Sequence, residues 1–266
     1  MKVYSFGDAN APVIMLLPGT CCHWKGNFYK VIPLLTDMFR VLCVSYDGFD
    51  ETERTEFSTM LAETEKIEAY IEENCGGHIR AAYGCSLGGS FVGLLAARRI
   101  IHMDYGILGS SDLDQASLLA ARLQTDMLLP LIYPLIRDGN FKSRFLQKRL
   151  QKRAAEMGDY VKAFMDMLGG ACPYVSMKSC KNQFYSDLVT PLPNKISVPG
   201  TEIHIFYALK MGKKYRERYE RHFDDPVIHE QNMQHEELLA CYPERWAALV
   251  KSIVKGETHA YDSEMK

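Results

Sequence analysis

Residues 81–91 read AAYGCSLGGSF, with Ser86 two places after Gly84 and two before Gly88. A serine in this G-x-S-x-G spacing can act as a nucleophile in acyl transfer. It needs a base to take its proton and preorganised donors for the oxygen that turns negative. The flanks fit that chemistry. The apolar run HIRAAY (78–83) reads as a strand, and residues 86–101, through FVGLLAARRI, read as a helix. Between strand and helix the serine is held in an unfavourable backbone conformation with its hydroxyl lifted above a sheet. Glycines beside it let the two elements cross closely. The N–H of Leu87, at the helix start, is free to meet a negative oxygen.

The base must be one of eight histidines. His235 follows the last strand expected, PVIHEQ (226–231), and precedes a helix opening after Pro243. It also follows the nucleophile in chain order. His229 and His222 are fallbacks. Glu236 and Glu237 are expected to open a helix, where acidic side chains suit the dipole.

The elements that must position these residues show two textures. VIMLL (13–17), FRVLCVS (39–45), HIRAAY (78–83), DYGILG (104–109) and EIHIFYA (202–208) are short apolar runs of buried parallel strands. Phe57, Met60, Thr64, Ile67 and Ile71 recur at helical steps, and CGG (75–77) stops that helix. KKYRERYERHF (213–223) reads as a helix, and Trp246, Leu249, Val250 and Ile253 share one face of the last. Strand alternating with helix implies a mostly parallel sheet covered on both faces. The stretch 112–198 breaks this rhythm with helical, methionine-rich sequence, which reads as an insertion. Its basic run KSRFLQKRLQKRAAE (142–156) is expected as a solvated helix face.

A net charge of −2 excludes a global bias toward nucleic acid. Residues 127–136 are apolar but too short to span a bilayer, and no export signal is visible. The eight cysteines form no C-x-x-C pair, so no cysteine zinc site is expected, and free thiols in a reducing cytoplasm are. Cys43, Cys75 and Cys241 are expected to be buried as small hydrophobes.

The chain resembles the α/β-hydrolase superfamily over essentially its whole length, through GCSLGG (84–89), VIMLLPGT (13–20), VSYDGFDET (44–52) and MQHEELLACYPERWAALV (233–250). The resemblance implies an α/β-hydrolase core at 1–111 and 199–266 with a helical lid at 112–198. It implies Ser86 as nucleophile, His235 as base, and the N–H groups of Thr20 and Leu87 as the oxyanion hole. It also asks for Asp or Glu after the family's seventh strand. Here that stretch is ALKMGKK (208–214), with Met211 at the aligned position and no carboxylate. Three readings stay open: an acid relocated to Asp112, with Asp114 as the alternative; a dyad; or a binding protein without catalysis. The leading expectation is a cytoplasmic serine hydrolase acting on a small-molecule carboxylic ester or thioester. No metal, organic cofactor, nucleic-acid partner or stable membrane insertion is expected. An acyltransferase or C–C hydrolase on the same site is the rival enzyme.

Overall fold

The computed structural model describes residues 1–257. Its strands are β1 (Lys2–Phe6), β2 (Val13–Leu17), β3 (Arg40–Ser45), β4 (His78–Cys85), β5 (His102–Gly109), β6 (Glu202–Ala208) and β7 (Val227–Gln231). They form one sheet in the order β1-β3-β2-β4-β5-β6-β7. Only β1 runs antiparallel, pairing Lys2 with Ser45 and Phe6 with Val41. The other strands pair in parallel. The side chains of β2, β3 and β6 are buried on both faces, which is why these strands read as continuous apolar runs.

Helices α1 (Trp24–Phe28), α2 (Ile32–Leu35), α3 (Met60–Cys75) and α4 (Leu87–Arg98) follow strands of the first half. Gly76, left-handed at φ 64°, ends α3. Helix α4 starts at Leu87, one residue later than expected, because Ser86 is not helical. Four helices lie between β5 and β6: α5 (Leu118–Asp138), α6 (Arg144–Met157), α7 (Asp159–Met167) and α8 (Met177–Val189). The basic α6 buries no residue, as a solvated face requires. After β6 come a single tight turn at Leu209–Met211, then α9 (Lys213–His222), α10 (Glu237–Cys241) and α11 (Pro243–Lys255). No helix among the described residues is long and apolar enough to cross a membrane.

Each sheet face carries its own core. Phe57, Ile67, Ile71, Phe91 and Leu95 pack on one side, and Phe28, Leu35, Trp246, Leu249 and Ile253 on the other. Each such large apolar side chain contributes about 1.5–3 kcal/mol on burial. Cys43 is buried in β3 as expected, whereas Cys75 and Cys241 are only half-buried because each is the last residue of its helix.

Candidate active site

Ser86 sits alone between β4 and α4 with φ 50° and ψ −111°. This is left-handed backbone for a residue with a side chain, a strain of about 1–3 kcal/mol that neighbouring contacts must hold. They are present. The Ser86 N–H donates to the Gly109 carbonyl and to Glu236 Oε1, both at 2.8 Å. The Ser86 carbonyl accepts from Ser111 Oγ at 2.6 Å and from the Gly89 N–H at 2.9 Å. A Cβ on Gly84 would overlap the Gly88 carbonyl, and one on Gly88 would overlap the carbonyl of Leu17, so only glycine permits this crossing.

The loop after β2 lies against the elbow: a Cβ on Gly19 would stand 3.4 Å from the Cys85 carbonyl. Side chains from distant segments fix this loop. Asn27 Oδ1 takes the Gly19 N–H at 2.8 Å, and its Nδ2 donates to the carbonyl of Met167, the last residue of α7, at 2.8 Å. Gln183 of α8 takes the Cys21 N–H at 2.6 Å, and Tyr46 donates to the Pro18 carbonyl at 3.1 Å. The N–H groups of Thr20 and Leu87 have no acceptor among the described residues. Two backbone donors are therefore unspent, one on the residue after Ser86 and one beside Gly19 in the loop that packs on Cys85.

His235 lies in the loop between β7 and α10. The ring of Phe164 stands 6.2 Å from its ring, and Tyr160 donates to its carbonyl at 3.0 Å; both aromatics belong to α7. Burial holds the imidazole pKa below its ordinary value, against the opposing charge of Glu236. The neutral ring, the form that can accept a proton, is thereby favoured. No hydrogen bond joins that ring to the Ser86 hydroxyl in this structure; such bonds often close only around a substrate.

Glu236 stands at the opening of α10 as expected, but its side chain turns inward instead of capping the helix. It is left-handed at φ 54° and buried, with Oε2 accepting from Tyr83 Oη at 3.1 Å and its own N–H donating to Ser110 Oγ at 3.2 Å. Burial raises its pKa, while His235 and the donors around it pull the other way. Glu237, in the first turn, accepts from the Gln234 N–H at 2.6 Å.

Asp112 and Asp114 do not meet His235 among the described residues. Their partner is Arg218 of α9, which donates to the Asp112 carbonyl at 2.8 Å and forms an ion pair with Asp114. Burial, reinforced by Asp114, pushes the Asp112 carboxyl up to about 6. The turn at Leu209–Met211 holds no carboxylate, yet it lies beside the histidine loop, its Lys210 N–H donating to the Met233 carbonyl at 3.2 Å. The fallback histidines lie elsewhere. His222 bonds the Pro193 carbonyl, and His229 stacks on His204 between β6 and β7.

No family model and no curated protein sequence matches the chain. Solved structures match its fold. An alpha/beta hydrolase family protein from Desulfitobacterium hafniense superposes at TM-score 0.74 over 95% of this chain and 100% of its own, at 17% identity. The chain has the α/β-hydrolase fold. Two others with this fold are a thermophilic esterase from Thermogutta terrifontis (TM-score 0.73, 14% identity, 97% of this chain and 93% of that one) and MenH from S. aureus (TM-score 0.67, 12% identity, 96% and 98%). An α/β-hydrolase fold hosts many chemistries, so function is argued from the site.

Proposed function

We propose that this chain is a serine hydrolase that cleaves a small-molecule carboxylic ester or thioester through an acyl-enzyme on Ser86. The observation that carries the reading is Ser86 in left-handed backbone between β4 and α4, flanked by the unspent N–H groups of Leu87 and Thr20. His235 takes the hydroxyl proton as Oγ attacks the acyl carbon. The tetrahedral oxyanion accepts from Leu87 and Thr20. His235 then returns the proton to the leaving oxygen or sulfur, and water activated by the same imidazole releases the acid. Helices α5 to α8 act as the cover, with α7 against His235 and α8 against the oxyanion loop. The eight thiols, free throughout, support a cytoplasmic setting.

One observation favours the silent binding protein instead: no carboxylate bonds the His235 ring among the described residues. A fluorophosphonate probe separates the two. The hydrolase reading expects covalent labelling of the native chain that Ser86→Ala abolishes. Unlabelled native protein, or labelling that survives Ser86→Ala, overturns it.

A further inference from the structure

At the end of the sheet away from Ser86, strand register gathers three donor groups that are far apart in sequence. His78 opens β4 and His102 opens β5, and the two are direct partners in the parallel pairing. Asp104 is two residues beyond His102, so it projects from the same face. Both imidazole Nε2 atoms turn toward one carboxylate oxygen: His78 lies 2.8 Å and His102 3.4 Å from Asp104 Oδ1. The rings stack with centroids 5.5 Å apart, and all three donor atoms lie within 4.8 Å of one another.

We propose that His78, His102 and Asp104 bind a divalent transition-metal ion of the zinc class. Two imidazoles and a carboxylate are a borderline donor set suited to such an ion, with solvent completing the shell. With bonds of about 2.0–2.2 Å, ligand atoms of a tetrahedral zinc stand roughly 3.3–3.5 Å apart. The His102–Asp104 separation already fits. The His78 contact opens by roughly half an ångström on the same geometry, which a half-exposed side chain allows. Gly200 leaves room at the open side, since a Cβ there would stand 3.3 Å from His102 Cε1.

The carboxylate is held in place. Arg80 Nη1 grips its other oxygen, Oδ2, at 2.7 Å while Nη2 donates to the Val254 carbonyl at 2.8 Å. The guanidinium also repels a cation, which weakens the site relative to one without it. The other cluster of suitable residues, His23, Asp50 and Glu51, is spent differently. His23 has both ring nitrogens committed, Nδ1 to the Lys25 N–H and Nε2 to Glu51, and Glu51 is also held by Lys25 Nζ.

The test is calorimetric titration of the reduced, metal-free protein with Zn2+, followed by Co2+ titration read in the visible spectrum. The expected result is one equivalent bound, with a cobalt spectrum lacking a thiolate charge-transfer band. His78→Ala and His102→Ala should each weaken binding at least about tenfold, a loss that even outer-shell changes produce at metal sites. The double variant should abolish it, and His23→Gln should leave it unchanged. No binding by the native chain, a thiolate band, or binding that survives the double variant overturns the proposal. Circular dichroism confirms that these surface variants are folded.

Discussion

The backbone N–H of Ser86 donates to the carboxylate of Glu236, 150 residues later in the chain, at 2.8 Å. The residue before Glu236 is the candidate base. One buried side chain thus joins the turn of the proposed nucleophile to the loop of His235. Removing it in Glu236→Ala strands the buried Tyr83 hydroxyl, at about 1–3 kcal/mol, and should lower Tm by several degrees. Glu236→Gln keeps the volume but places an amide donor where only acceptors are wanted. It should fold and label with fluorophosphonate about tenfold or more slowly, the scale of loss for a small misplacement of reacting groups. Native labelling rates in folded Glu236→Gln would show that this contact does not position the serine.

The two aspartates after β5 face Arg218 rather than His235. Asp112→Asn and Asp114→Asn should therefore change the labelling rate less than about threefold, far below the orders of magnitude that follow loss of a triad acid. A drop of tenfold or more for either would reinstate a relocated acid.

Met211 lies on the turn that bonds the histidine loop through Lys210 and Met233. Met211→Asp should place a carboxylate where the imidazole lacks one and raise the labelling rate about tenfold, a fraction of what tautomer control supplies in complete triads. An unchanged rate, with fold intact, would mean that the turn cannot deliver a carboxylate to His235.

Burial lowers the pKa of His235. The reactive form is the neutral ring, so the labelling rate should rise with pH. Its half-maximum should fall below about 6.5, where free imidazole titrates. A midpoint at or above that value would point to a different base or a solvated ring.

Much of the fold was legible because parallel strands buried on both faces write continuous apolar runs. VIMLL and EIHIFYA coincide with β2 and β6 residue for residue. β1 escaped notice because KVYSF is short and half-exposed, and pairing with β3 makes it a strand. The elbow was legible because its glycine requirement is local. Glu236 was not: its left-handed backbone and its turn inward depend on Ser110 and Tyr83, 126 and 153 residues away in sequence. The meeting of His78 with His102 likewise depends on strand register, which no short motif encodes.

His204 offers a check on stability rather than chemistry. Burial, reinforced by His229 beside it, pushes its pKa down to about 4, even with the carboxylate of Glu202 at 3.4 Å. Unfolded, it titrates near 6.5. Between these values the unfolded chain binds a proton that the folded chain refuses, so this group removes stability as pH falls from about 6.5 to about 4. His204→Gln should flatten urea-derived stability across that window, whatever its constant offset. Parallel curves for native chain and variant would refute the assignment.

Asn27 holds the Gly19 N–H with one end of its amide and the end of α7 with the other, while α7 also rests on His235. The α7 helix of the proposed cover is therefore wired to both halves of the proposed reaction centre. If α7 swings away to admit a substrate, the donor loop and the base loosen together, and they regain their places only on its return. On the proposed function, entry and reactivity would then be opposite phases of one cycle, and the rate of that swing would set a ceiling on turnover.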